Sequence, residues 1–267
     1  MSMPKLDQML QAMWQDYLDL NPDARRIYKL FSAQNKNLIN DHIALRTFDI
    51  PRVDIDTLAQ PFLALGYVES GSYQFPIKQL VAKHYEHPDQ QQPKIFISQL
   101  LVDQLPDTQQ EIVHQLVSQI PDDVLQRDDF CYSGRHWPIS FDSYQQLALV
   151  SEYAAWVYAM GFRPNHFTLL INALQSHSNL EQVNDFLLAQ GFQLNSAGGL
   201  IKGSIDERLE QSSTLANPVD VQFSDRISSV PGCYYEFAQR YPDAKGKLFQ
   251  GFVAASADKI FESTDRK

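Results

Sequence analysis

The sequence predicts an α+β fold built from two βαβββ modules around a shared site, and three observations predict it. Two strand-like segments, Asn40 to Phe48 and Arg163 to Asn172, each carry a histidine near the start, His42 and His166. Each is followed by a helical segment stopped by glycine at almost the same distance, 24 residues from His42 to Gly66 and 25 from His166 to Gly191. Each glycine then precedes runs that read as further strands. Two unrelated segments would not place histidine, helix and glycine in one register, so the pattern marks a duplicated module.

From the N-terminus, Leu6, Met9, Leu10, Met13, Tyr17 and Leu18 recur at helical spacing. Asn21-Pro22 then offers an N-cap followed by proline at the first position of a second helix, to about Phe31. In the strand Asn40 to Phe48, His42, Ala44 and Arg46 share one face while Ile43, Leu45 and Thr47 share the other. At roughly 3.3 Å per residue the His42 and Arg46 Cα atoms stand about 13 Å apart, with room for a small ligand between their side chains. A helix from Asp56 to Leu65, interrupted by Pro61, ends at Gly66. Tyr67 to Phe75, Gln79 to His84 and Lys94 to Leu100 complete the first module as strands.

From Leu105 the pattern becomes helical, with Ile112, Leu116 and Ile120 on one face, and again from Asp142 through Met160 to a stop at Gly161. Tyr144 to Met160 is apolar nearly all round, as in a helix buried in the protein or in a subunit interface. Between them lies the polar and aromatic loop Cys131 to Pro138, read equally as a pocket wall or a surface turn. The second module follows: the strand with His166, a capping box at Ser178-Asn179-Leu180-Glu181 opening a helix to Gly191, and candidate strands at Leu200 to Gly203, Val219 to Phe223 and Cys233 to Arg240. The expected organisation is a single compact domain, 1–267: N-terminal helices 1–36, first module 37–104, helical insert 105–161, second module and tail 162–267.

With 44% hydrophobic and 20% charged residues in 267, the chain has the composition of an ordinary globular protein, which excludes disorder and fibrous architectures. A net charge of −10 with no basic run argues against nucleic acid and anionic membranes as partners. The N-terminal residues Met1 to Leu6 do not read as a signal peptide and no apolar run reaches eighteen residues, so a cytoplasmic location is expected. Cys131 and Cys233 lack CxxC spacing, leaving histidine and carboxylates to hold any metal. There is no glycine-rich phosphate loop and no GxSxG elbow.

Closing the two modules on one cavity would bring His42 and His166 together. Glu236, among apolar and aromatic neighbours in Tyr234-Tyr235-Glu236-Phe237-Ala238, is a costly carboxylate unless it pairs or binds a cation. Two imidazoles and one carboxylate suit non-haem Fe(II) and O2 chemistry. The alternatives are two core histidines satisfied by backbone groups and a structural ion pair of Glu236 with Arg46, Arg163 or Arg240. His84 and His87 invite a competing metal assignment, though their spacing resembles a surface turn; His114 and His177 read as solvated, and His136 has no assigned role.

His42-x-x-x-Arg46, Asn165-His166, the run Val230 to Arg240 and the tail from Gly251-Phe252 through Ala257-Asp258-Lys259-Ile260-Phe261-Glu262-Ser263-Thr264 together resemble the DUF1338 family, which includes the 2-oxoadipate dioxygenase/decarboxylases of lysine catabolism. The resemblance implies a fold related to the vicinal oxygen chelate superfamily. It implies that His42, His166 and Glu236 are the Fe(II) ligands and that Arg46 holds a substrate carboxylate. The implied reaction takes 2-oxoadipate or a close 2-oxo acid, with O2, to 2-hydroxyglutarate and CO2. A 2-oxo acid could chelate the metal while Arg46 engages its distal carboxylate. Two alternatives stand beside it: a non-oxidative isomerase, lyase or hydrolase that keeps the metal site with another divalent metal, and a non-catalytic sensor or binding module that captures a carboxylic acid. The chain is expected as monomer or homodimer.

Overall fold

The computed structural model describes residues 5–254, 259–260 and 262–264. The readings that fall on Met1 to Pro4, Ala257, Asp258 and Phe261 lie outside the described residues.

Eight strands form one curled sheet, and its order shows the duplication. The first module contributes β1 (Asn40–Phe48), β2 (Val68–Phe75), β3 (Leu80–Glu86) and β4 (Lys94–Leu100), with α3 (Ile55–Ala64) after β1. The second contributes β5 (Pro164–Leu170), β6 (Lys202–Ser204), β7 (Leu209–Ser213) and β10 (Tyr234–Arg240), with α8 (Leu180–Ala189) after β5. The sheet order is β2-β3-β4-β1-β5-β10-β7-β6. Outward from the antiparallel β1/β5 seam, both modules therefore run first, fourth, third and second strand, with the fourth parallel to the first. Gly66 and Gly191, the two helix stops, both adopt positive φ (100° and 82°), where a side chain would be strained.

The helices α1 (Lys5–Leu20) and α2 (Pro22–Ser32) cover the outer face of the second module. Asn21 caps α2 by accepting a hydrogen bond from the Ala24 amide. Trp14 and Tyr17 pack on Phe167 and Tyr235, and Phe31 packs on Phe237. These alternate along their strands with His166, Tyr234 and Glu236, so a helix-covered face of aromatic residues backs a second face that carries polar chemistry.

The insert departs from its expected form. Asp142 to Met160 is two helices, α6 (Phe141–Ala148) and α7 (Glu152–Met160), because the Ser151 side chain caps α7 by accepting from the Ala154 amide. Only α7 is buried along its length; Leu149, at the break, is 85% exposed. The earlier helices are α4 (Asp107–Ser118) and α5 (Asp122–Leu125); α4 buries Val113, Leu116 and Val117, and of the expected face Leu116 and Ile120 are buried and Ile112 is partly buried against the core. The loop Cys131 to Pro138 packs under the end of α7: Arg135 and Trp137 donate to the carbonyls of Ala159 and Tyr158.

In the second module, Val219 to Phe223 is largely a strand, as expected, but not one of the eight-stranded sheet. It lies in β8 (Pro218–Gln222), which pairs only with β9 (Ile227–Pro231) in a separate two-stranded ribbon. Its expected place is taken by β7, whose sequence Leu-Glu-Gln-Ser-Ser has no apolar alternation although Gln211, Ser212 and Ser213 are buried. The cap of α8 also moves by one residue: Asn179 accepts from the Gln182 amide, and Gln182 returns a side-chain oxygen to the Ser178 amide.

Candidate metal centre

His42 and His166 sit on opposite sides of the β1/β5 seam, and each is prepared in the same way. Asp41 is an extra residue in β1 between the pairs Asn40↔Leu169 and His42↔Thr168, and Asn165 is extra in β5 between Leu45↔Pro164 and Ala44↔His166. Such bulges re-aim neighbouring side chains. Here each bulged residue turns its oxygen to the histidine that follows it. Asp41 Oδ1 lies 2.9 Å from His42 Nδ1, and Asn165 Oδ1 lies 2.9 Å from His166 Nδ1. With Nδ1–H donating in both rings, the lone pair of each imidazole is on Nε2.

Both lone pairs face Glu236. Its Oε1 is 3.4 Å from His42 Nε2 and its Oε2 is 3.4 Å from His166 Nε2. The three donor groups lie within 4.8 Å of one another. All are buried, with exposures of 2%, 4% and 1% for His42, His166 and Glu236. Gln211 Nε2 donates to Oε1 at 2.6 Å, and the Thr168 hydroxyl sits 3.1 Å from His42 Nε2. Oε2 has no hydrogen-bond partner among the described residues.

Glu236 Oε2 and the His166 Nε2 lone pair face each other with no donor between them among the described residues, an arrangement that is repulsive unless a cation lies between. Burial raises the Glu236 carboxyl above its ordinary range, opposed by the field of His42 and the bond from Gln211. Burial likewise holds His166 well below the ordinary imidazole range, helped by His42 and Arg46, so the ring is neutral and ready to ligate. The His166 ring stacks on Tyr234 at 4.5 Å, and the His42 ring meets Phe252 edge-on at 4.8 Å. The donor set fits a divalent transition metal with coordination positions to spare. Glu236 is not in a structural ion pair with arginine: Arg240 binds Asp41, Arg163 meets Asp16, and Arg46 approaches Glu152.

Arg46, also buried, follows His42 and Ala44 on their face of β1. Its guanidinium lies over the rings of Tyr153 and Trp156 on α7, at 4.8 and 5.3 Å. Nη2 contacts the Thr264 hydroxyl at 3.3 Å, and Nη1 is 3.7 Å from Glu152 Oε2. Glu152, Tyr153, Trp156 and Thr264 also line a cavity of about 460 Å³.

His84 is not in a surface turn. It is buried within β3, bonded to the Tyr73 hydroxyl at 2.9 Å and to Glu86 at 3.0 Å, apart from the His42 cluster. His87 is partly buried after β3, His114 is exposed, and His177 is half-buried against Phe31 and Phe186. His136 bonds to Ser133 in the loop beneath α7. Sequence reasoning did not single out Gln211, Thr168, Glu152 or the Asp41–Arg240 pair. The repeated Asp/Asn-His dipeptide was the one available signal for Asp41.

The fold and these donors define a class: a duplicated-module α+β protein with a two-histidine, one-carboxylate candidate metal centre at the module junction. Within that class, the chain belongs to the 2-oxoadipate dioxygenase/decarboxylase family, whose family model matches residues 2–127 and 128–249. It is 36% identical over 282 residues to the Arabidopsis thaliana chloroplastic 2-oxoadipate dioxygenase/decarboxylase, covering 93% of this chain and 74% of that protein. Its structure is similar to that of the Oryza sativa hydroxyglutarate synthase solved with 2-oxoadipate, at 32% identity, TM-score 0.91, and coverage of 99% and 95%. A Shewanella frigidimarina protein given the provisional name of a hydrolase matches at 48% identity and TM-score 0.91, over 96% of this chain and 100% of that one. A Ralstonia eutropha protein placed provisionally in the glyoxalase superfamily shares the fold alone, at 20% identity, TM-score 0.76, and coverage of 92% and 85%.

Proposed function

We propose that this chain converts 2-oxoadipate and O2 to 2-hydroxyglutarate and CO2, with iron(II) held by His42, His166 and Glu236 and the substrate's distal carboxylate held by Arg46. The observation that carries the reading is the convergence of three buried acceptors, one an orphaned carboxylate oxygen, in a member of this family. Iron(II) bound there would supply O2 activation, while the 2-oxo acid itself would supply the electrons, two on losing CO2 and two on being hydroxylated, so no separate reductant is needed.

The chain's own groups supply position and environment. Asp41 and Asn165 keep both Nε2 lone pairs inward, and Gln211 restrains one oxygen of Glu236 so that the other can turn to the metal. Arg46, backed by Tyr153 and Trp156, is a fixed cation for a carboxylate, able to make a charge-assisted two-point contact. It acts as a ruler for chain length: a shorter 2-oxo acid chelated at the metal would not reach it. Burial of all four groups keeps bulk water from the reacting carbon. A cytoplasmic site and a role in lysine breakdown belong to the same proposal.

The test is anaerobic loading with Fe(II), followed by O2 and a panel of 2-oxo mono- and dicarboxylates of varied length. The expected result is one O2 consumed and one CO2 released per 2-oxoadipate, with 2-hydroxyglutarate as product and weaker turnover of other lengths. Turnover without O2 uptake would favour the non-oxidative reading that the Shewanella relative's name raises. Saturable 2-oxoadipate binding with no turnover would favour a binding module.

A further inference from the structure

The two histidines are equivalent in the repeat but not in what lies behind them. Behind His166 stands a neutral amide, Asn165. Behind His42 stands Asp41, a carboxylate 3% exposed, gripped by a buried arginine from β10. Arg240 Nε donates to Asp41 Oδ2 at 2.5 Å and Nη2 to Oδ1 at 2.8 Å, a two-point contact between β1 at the centre of the sheet and β10, the fourth strand of the second module.

Arg240 has a second task. Its remaining nitrogen, Nη1, donates to the carbonyls of Phe249 and Gly251 at 2.9 and 2.8 Å. The next residue, Phe252, puts its ring under the Arg240 guanidinium at 5.3 Å and against the His42 ring at 4.8 Å. Its amide accepts no freedom either, since it donates to the Tyr73 hydroxyl at 3.1 Å. Arg240, Asp41, His42 and Phe252 thus close a ring of contacts. Among the described residues no such arm reaches His166, whose partners Asn165 and Tyr234 lie on β5 and β10 themselves.

We propose that Arg240 and Asp41 are a positioning pair that ties the aim of His42 to the seating of residues 249–252, so that one metal ligand, and not the other, depends on the C-terminal segment. The inference rests on the metal-centre reading above, and its test separates the two. A carboxylate behind a ligating imidazole fixes its orientation and strengthens it as a donor; losing such a partner typically costs 10–100-fold in metal affinity.

The experiment measures Co(II) affinity by chelator competition in the full chain, with NMR of the Co(II) protein to follow the two exchangeable Nδ1–H resonances. Asp41→Asn and Arg240→Gln are each expected to weaken Co(II) by about 10–100-fold. Only the His42 proton signal should shift or exchange faster. Because each single variant strands a buried charge, Asp41→Asn/Arg240→Gln is made as well. In that variant the thermal stability of the metal-free protein should recover toward wild type while Co(II) affinity stays low, and the affinity losses should not add. Affinity that recovers along with stability would overturn the proposal and leave the pair a structural tie. Wild-type affinity in Arg240→Gln, or equal loss of both proton signals, would also overturn it. Failure of the wild type to bind Co(II) would instead sink the metal-centre reading.

Discussion

Replacing Glu236 by glutamine should stabilise the metal-free protein and abolish its response to metal. Glu236 is 1% exposed, and its Oε2 faces the Nε2 lone pair of His166 at 3.4 Å with no donor between them. Burial raises its carboxyl above 4.5, so the folded state holds this proton more tightly than the unfolded state. The stability due to the protonated form is present below pH about 4.5 and is lost as pH rises through the folded value, so at neutral pH the ionised carboxylate costs stability. Glutamine has nearly the same shape, and its amide can donate to an imidazole lone pair. Relieving an unsatisfied buried acceptor is worth about 1–3 kcal/mol, and in a protein of this size each kcal/mol moves the melting temperature by roughly 2–4 °C. The wild type gains stability by binding: with metal at a hundred times its dissociation constant the gain is about 2.7 kcal/mol. Differential scanning fluorimetry at pH 7.5, with chelator and then with Co(II) or anaerobic Fe(II), should show the variant melting higher without metal and unresponsive to it, and the wild type rising with metal. A variant that melts lower without metal and still rises with it would refute the reasoning.

His42→Ala and His166→Ala should each lose metal when stoichiometry is measured by plasma emission, whereas Arg46→Ala should keep it and lose 2-oxoadipate affinity by isothermal titration. Equal metal content in all three would contradict the assignment. Gly161→Ala should destabilise by on the order of 2–4 kcal/mol in urea unfolding, because its φ is 77° and a new Cβ would lie 2.3 Å from the Gly134 carbonyl oxygen; a loss under about 0.5 kcal/mol would count against this packing of α7 on its loop. Burial lowers both His166 and His84, so the unfolded chain binds their protons more readily. In Glu236→Gln, which removes the carboxylate whose titration acts in the opposite sense, stability of the metal-free protein should therefore be full above pH about 6.5 and fall as pH drops through the folded values; a urea midpoint of that variant that is flat from pH 7.5 to 5 would contradict their burial as neutral rings.

The duplicated frame was legible because it rests on signals that do not need tertiary context. Histidine, helix and glycine stop recur in one register, and β4 is recognisable from its β-branched and aromatic residues alone. His42, His166 and Glu236 converge because the repeat puts the first strands of both modules at the seam and the fourth strand of the second module beside it. What sequence could not reveal depends on side chains whose partners are remote. β7 is polar because Gln211 serves Glu236, Ser212 bonds to Asn184 and Ser213 bonds to Ser263, so it lacks the alternation that marks a half-buried strand. The helix break at Ser151 is a local capping choice hidden in an apolar run. His84 looks exposed beside Lys83 and Glu86, yet strand pairing turns it inward onto Tyr73. The Asp41–Arg240 contact spans 199 residues, and nothing near either residue announces it.

The measurement that bears most directly on the central claim is anomalous diffraction from crystals grown anaerobically with Fe(II), collected on both sides of the iron absorption edge. The account expects one strong peak at the β1/β5 seam, within bonding distance of His42 Nε2, His166 Nε2 and a Glu236 carboxylate oxygen. A peak elsewhere, or none at this seam in crystals whose protein carries one iron per chain, would contradict it.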